Sequence, residues 1–329
     1  MKGLSRTLAI ATSTAGLGVA LAVPGAVVLA DAGHGVRTIA SGFAGPLHLS
    51  VAPNGQIYVA DAFLGQIDRV DPSTGSITPV VTGLGFSPGV DVHGGQIFFT
   101  NSHFPESETE QGSTSLLRAT PDGTVKTVAD MLAYELANNP DGQPRRDDAD
   151  SNPYAVLALP GRTLVADAAG NALIEVRPNG RMRTLTVFPV SYAGECATAT
   201  NNGVPNGGCD PVPTDIALGP DGFLYVSGLG AEVEGFVWKV DATTGQIVST
   251  RGGLPPLTGI AVGDDGSVYA SSLFADTIFR FAPSGAVSTA TVTGPTGLDY
   301  ARGVLYAASV DFSGGPGSVV AVSPAAFHP

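Results

Sequence analysis

The chain has 329 residues, with 44 Gly and 25 Pro; 43% are hydrophobic and only 14% charged. So many backbone breakers exclude a bundle of long helices, and so much apolar residue at so little charge excludes a disordered chain. Sixteen Lys and Arg against 29 Asp and Glu give a net charge of −13, with no basic patch legible along the chain, which excludes nucleic-acid or anionic-membrane partners.

In chain order, the first feature is a processing signal. Lys2 and Arg6 precede an uncharged run from Leu8 to Ala30, followed by the small-x-small pattern Ala30-Asp31-Ala32; Val28-Leu29-Ala30 is the competing cleavage site. Pro24, the glycines and the weak hydrophobicity of the run argue against an uncleaved anchor. Residues 1–32 are therefore expected to be a signal peptide. The remainder, 33–329, is expected to be secreted to the extracellular space with no membrane span after cleavage.

Beyond it the sequence repeats. An apolar alternation, a Gly turn and a second apolar strand occur at Leu49–Val59 (LSVAPNGQIYV), Ile216–Val226 (IALGPDGFLYV) and Ile260–Tyr269 (IAVGDDGSVY). Weaker copies centre on Gly95, Gly161 and Gly303, so the six turn glycines are spaced by 40, 66, 61, 44 and 37 residues. The segment Ile67–Ile77, with Asp71 and Gly75, matches Val237–Ile247, with Asp241 and Gly245. There Asp bonds its own backbone and Gly takes positive φ in a tight turn. Units near 40 residues with four short strands each predict an all-β fold, a six-bladed β-propeller. The last unit lacks a fourth strand and Val36–Ala40 belongs to no unit, so that N-terminal strand is predicted to close the ring and remove the open sheet edge.

Three insertions break the spacing: His103–Ser115, Ala133–Ser151 and Pro189–Pro211. Strand direction alternates within a blade, so all three fall on one face, above blades two to four. Long loops on a rigid ring are where function collects. Cys196 and Cys209, with twelve residues between them in the third insertion, read as one local disulfide of an exported protein, stiffening a surface loop.

The segment Tyr134-Glu135-x-x-Asn138-Asn139-Pro140-Asp141-Gly142, followed by Asp150-Ser151-Asn152-Pro153-Tyr154 and by Val156–Asn171, resembles the ScyD/ScyE family of exported NHL-like propellers. The resemblance covers residues 36–329 and is specific in that middle segment. It implies fold and export, and little chemistry. Blade one departs from the family's Asn-Pro-Arg-Gly opening, reading Gly45-Pro46-Leu47-His48.

Two sets of residues are candidates for a site. Glu135, Asn138, Asn139, Asp141, Asp147, Asp148, Asp150 and Asn152 crowd the second insertion with Arg145 and Arg146. Oxygen donors at this density suit calcium, which takes six to eight of them; the plainer reading has Asx side chains capping turns. The metal set is Glu135, Asp150, Asn152 and Asp215. The ligand set is Glu135, Asn138, Asn139, Asp141, Tyr154 and His48. At the start of each innermost strand stand His48, Gly89, Ala155, Asp215, Gly259 and Gly297. Small residues suit strands crowded around an axis, which leaves His48 and Asp215 to point toward the channel mouth, as acid/base groups or as a space-filler and a backbone cap. Asp61 and Asp167 end their second strands and read as loop caps.

There is no Gly-x-Ser-x-Gly elbow, His-Glu-x-x-His or phosphate loop. No motif demands a cofactor; calcium is the one ion the donor set suits. The leading expectation is a non-catalytic binding scaffold for a small molecule, glycan or protein, using the loop face above blades two to four. The alternative is a calcium-dependent lactonase or esterase-like hydrolase with its metal at the channel mouth.

Overall fold

The computed structural model describes residues 35–102, 114–120, 122–143, 151–201 and 204–329. The proposed signal peptide, Asp147, Asp148, Asp150, Arg145, Arg146 and nearly all of the first insertion lie outside the described residues. Among those described, no helix is long and apolar enough to cross a membrane.

Six four-stranded antiparallel sheets form the expected ring. Blade one is β2 (Pro46–Val51), β3 (Ile57–Asp61), β4 (Gln66–Asp71) and β5 (Ser76–Val81). Blade two is β6 (Val90–His93), β7 (Gln96–Asn101), β8 (Ser115–Ala119) and β9 (Val125–Asp130). Blade three comprises β10 (Pro153–Leu159), β11 (Arg162–Asp167), β12 (Ala172–Val176) and β13 (Met182–Val187). Blade four comprises β14 (Pro213–Leu218), β15 (Phe223–Gly228), β16 (Gly235–Asp241) and β17 (Ile247–Leu254). Blade five is β18 (Gly259–Val262), β19 (Val268–Ser272), β20 (Thr277–Phe281) and β21 (Val287–Thr291). Blade six is β22 (Pro295–Ala301), β23 (Val304–Ser309) and β24 (Gly317–Val322), completed on its outer edge by β1 (Val36–Phe43).

The repeat turns behave as their residues require. All six turn glycines have positive φ, from 74° at Gly95 to 90° at Gly55, which an L side chain rarely adopts. In the Asp-x-x-x-Gly turns, Asp71 and Asp241 accept from the N–H groups of Ser73 and Thr243 respectively, each at 2.9 Å. Glycine is needed at the axis for a different reason. A Cβ on Gly297 would lie 2.7 Å from His48 Cα, and one on Gly89 would lie 2.7 Å from the Tyr154 carbonyl oxygen.

Apolar clusters fill the wedges between neighbouring blades. The wedge between blades three and four holds Leu173, Phe188, Phe236 and Trp238, with Phe188 and Trp238 ring centroids 4.4 Å apart. The Cys196–Cys209 disulfide forms as expected, but both cysteines are fully buried in this wedge. The bridge therefore anchors the third insertion to the core rather than stiffening a surface loop, and such a ring contributes on the order of 3 kcal/mol.

One helix was not legible in the sequence. Helix α1 (Met131–Asn138) opens the second insertion, with the Asp130 side chain accepting from Ala133 N–H at 2.9 Å. It closes on Asn139 in the left-handed conformation at φ 44°.

Ring closure is the testable element. Ile39, Ala40 and Phe43 of β1 are buried against Leu49, Ile57 and Val59 of blade one and Ala308 and Val319 of blade six. Deleting residues 33–43 removes two large buried side chains, about 4 kcal/mol in burial alone, and exposes the edge of β24. At roughly 2–4 °C per kcal/mol for a protein of this size, thermal unfolding should move down by about 10 °C or more. An unchanged midpoint would show that the strand does not close the ring.

Candidate active site

The inner strands β2, β6, β10, β14, β18 and β22 surround the axis, and their starts lie on the face that carries the insertions. His48, Tyr154 and Asp215, from blades one, three and four, meet there. His48 is only 4% exposed and Asp215 6%. The His48 ring puts Nδ1 2.9 Å from the Pro88 carbonyl oxygen and Nε2 3.0 Å from that of Thr214, with Asp215 Oδ1 3.7 Å from Nε2. Tyr154 meets the imidazole edge-on, centroids 5.3 Å apart. A single side chain thus ties blade one to blades two and four across the axis.

Two further acids share the channel, and sequence reasoning missed both. Asp91 and Asp299 lie two residues beyond Gly89 and Gly297 on their inner strands. Period-two geometry points i and i+2 to the same side, so that signal was present once the axial positions were known. Blades two, four and six each contribute one aspartate, and each reaches forward to the next blade's inner strand. Asp91 accepts from Ala158 N–H at 2.7 Å, Asp215 from Ile260 N–H at 2.9 Å and Asp299 from Val51 N–H at 2.7 Å. Asp91 also accepts from the Ser50 hydroxyl at 2.7 Å, and Asp215 from Ile216 N–H at 2.8 Å.

Burial dominates the protonation of these groups. It raises Asp215 to about 8, against the backbone bonds that lower it and with added repulsion from Asp91. It raises Asp299 to about 7, assisted by Asp91 and Asp215, and raises Asp91 as well. His48 is pushed down to about 4 by burial, although the Pro88 and Thr214 carbonyls pull the other way. Those carbonyls can only accept, so satisfying both needs hydrogen on both ring nitrogens, a demand that burial opposes. Burial likewise raises the Tyr154 phenol above its ordinary range, with Asp215 adding to the shift, so the phenol keeps its proton.

The polar residues of the second insertion are engaged in building it. Asn138 Nδ2 donates to the Tyr134 carbonyl at 2.8 Å, and Asn139 Nδ2 to that of Gln143 at 2.9 Å. Asp141 accepts from Gln143 N–H and from Asn171 Nδ2, both at 2.9 Å. Gln143 and Asn201 both donate to Asp210, joining the second insertion to the third. Glu135 is buried on α1, its Oε2 2.9 Å from where a Gly170 Cβ would stand, beside Asp167. Asn152 accepts from the Ser102 hydroxyl at 2.6 Å. Asp167 caps Asn152 and Gly170 N–H, and Asp61 caps Ala44 and Gly45 N–H, as the plainer reading had it.

The sequence-predicted metal set does not gather into one shell. Asp150 lies outside the described residues; Glu135 and Asn152 both lie by Asp167, while Asp215 faces the axis. Both Asp215 oxygens already accept backbone N–H groups. Among the described residues, no three His, Cys, Asp or Glu are arranged to hold a metal ion.

No protein-family model and no curated protein matches this sequence. Solved structures do match in shape. The PQQ-bound aldose sugar dehydrogenase of Streptomyces coelicolor is 14% identical, with a TM-score of 0.60 over 88% of this chain and 97% of that one. A luciferin-regenerating enzyme is 11% identical, TM-score 0.62, over 90% and 97% of the two chains. A gluconolactonase of Xanthomonas campestris is 14% identical, TM-score 0.58, over 88% and 89%. At such identities the likeness establishes the six-bladed propeller. The expectation of a non-catalytic binding scaffold is corrected by this company: the similar structures are named as enzymes.

The raised aspartates make stability depend on pH with a definite sign. Asp215 and Asp299 hold protons up to about 8 and 7 in the folded chain but release them near 3.8 when unfolded. Their contribution is full below pH 3.8 and lost as pH rises through those folded values. The lowered His48 acts oppositely, between about 4 and 6.5, and so contributes no slope above 6.5. The melting temperature should therefore fall between pH 6.5 and 8.5, and less steeply in Asp299→Asn, which keeps an acceptor for Val51 N–H. A flat profile in the parent protein would contradict these assignments.

Proposed function

We propose that the protein is an exported enzyme of hydrolytic type that opens the ester bond of a small cyclic ester, such as a sugar lactone, at the insertion-side mouth of the axial channel. The observation that carries this reading is the meeting of His48, Asp215 and Tyr154 from three blades, with the imidazole and the carboxyl pushed apart in opposite directions by burial. A pair separated in this way divides acid and base roles at one pH. Neutral His48 has one N–H for two carbonyl acceptors, and the nitrogen left without hydrogen takes the proton of the attacking water in place of its carbonyl contact, while protonated Asp215 delivers one to the departing alkoxide. Tyr154, which keeps its hydrogen, donates to the carbonyl oxygen as negative charge develops on it.

Export rests on the N-terminal pattern of residues 1–32 and is consistent with the disulfide. The resemblance of the Tyr134–Asn171 segment to the ScyD/ScyE family supports the same fold and compartment and assigns no chemistry. The gluconolactonase among the similar structures supports the choice of substrate class.

The test is turnover of aldonolactones and aryl esters by residues 33–329, followed by pH-stat. The rate should be bell-shaped in pH, with limbs near 4 and 8. His48→Gln and Asp215→Asn should each lower kcat/KM by roughly 100-fold or more, with folding confirmed by circular dichroism. Absence of turnover on every lactone and ester, or full activity in both variants, would overturn the proposal.

A further inference from the structure

The expectation that this acidic chain carries no basic patch is corrected by the fold. Arg118, Lys126, Arg162, Arg177, Arg181 and Arg183 are scattered through the sequence, yet these six of 16 cations line two adjoining hollows beneath blades two and three. One is a groove of about 460 Å³ between the blades, the other a hollow of about 700 Å³ under blade three. Both are edged by the β10–β11 and β12–β13 turns, at Gly161 and Asn179, so they open on the face opposite the channel mouth.

Among the described residues a single acid, Glu175, lines them, and three arginines crowd it. Its side chain is fully buried on β12. Arg162 and Arg183 donate to Oε2 at 3.0 and 2.7 Å, and Arg177 Nη2 lies 2.7 Å from Oε1. Burial would raise this carboxyl, but the arginine hydrogen bonds outweigh it and hold it below its ordinary value. Three guanidinium groups against one carboxylate leave positive charge over. Among the described residues Arg118, Lys126 and Arg181 make no ion pair at all. Like charges held together in a protein of net charge −13 repel one another unless an anion sits among them.

We infer that this groove binds a compact multivalent anion, a small molecule bearing two or more phosphate or carboxylate groups. Arginine forks suit the planar, bidentate geometry of such groups, and Glu175 shows that guanidinium groups converge on a carboxylate here. The size of the groove and the negative field of the whole protein select against a long polyanion. Among the described residues the lining holds only two rings, Phe98 and His93, so a run of bases finds no extended platform on which to stack. The site is independent of the axial chemistry, being on the other face of the ring.

The test is isothermal titration of residues 33–329 at low salt with inorganic diphosphate and, separately, with citrate. Saturable 1:1 binding of at least one of them is expected, weakening as salt rises. Diphosphate alone would mark phosphate as the recognised group, and citrate alone would mark carboxylate. The double variant Arg118→Gln/Lys126→Gln removes two cations that line the groove and make no ion pair among the described residues, and should bind at least tenfold more weakly while melting at the parent temperature. Lactone turnover should be unaffected by it, so failure of one reading leaves the other standing. No saturable binding of either anion, or undiminished binding in the double variant, would overturn the inference.

Discussion

The chemistry at the axis depends on one pairing, β1 against β24. Val36 lies opposite Val322 and Phe43 opposite Gly317, joining the start of the described chain to its end through an antiparallel ladder with two irregularities. A propeller left open at this seam would present two free sheet edges and lose the wedge that Ile39 and Phe43 share with blade one. Closure also fixes the distance between inner strands. That crowding is why glycine stands at Gly89, Gly259 and Gly297, and it leaves His48 and Asp215 little water of their own, with Asp91 and Asp299 half-buried beside them.

Three aspartates then turn crowding into order. Inner strands pair with a neighbour on one side only, so their axial N–H groups need acceptors from elsewhere. The side chains of Asp91, Asp215 and Asp299 provide them, each crossing from an even-numbered blade to the odd-numbered blade ahead of it. The cost of burying carboxylates so near one another falls on their protonation, and it produces the upward shifts seen at all three. His48 lies in the same low-dielectric space and is displaced the other way. Structural bracing and chemical poise at the channel mouth therefore come from the same burial. Among the described residues, the second and third insertions are joined by polar side chains spent on one another, through Asp141, Asn171, Gln143 and Asp210.

How much of this was legible in the sequence follows from the range of each interaction. Turn glycines and strand alternation are local, so the repeat, the blade count and even the role of Val36–Ala40 could be read directly. The helix over Met131–Asn138 escaped because a short, Asn-ended segment inside an acidic insertion carries no long apolar period. His48 and Asp215 could be placed at the axis because both break a run of glycine and alanine at equivalent positions. Asp91 and Asp299 escaped because an aspartate within a strand shows no sign of facing an axis until that axis exists. The oxygen-rich insertion stayed ambiguous in sequence for a related reason. Asn138, Asn139 and Asp141 look the same in sequence whether they cap turns or bind an ion, and only their hydrogen-bond partners decide between the two.

The central claim is that burial at the axis holds His48 neutral and Asp215 protonated at neutral pH. The most direct measurement is an NMR titration of the His48 ring in protein labelled at histidine, assigned by comparison with His48→Gln. The account predicts no protonation of this imidazole until the pH approaches about 4, while Asp215 releases its proton only near 8. A His48 signal that titrates at its ordinary value near 6.5 would contradict it, and would reduce the axial cluster to a hydrated polar lining without a divided acid and base.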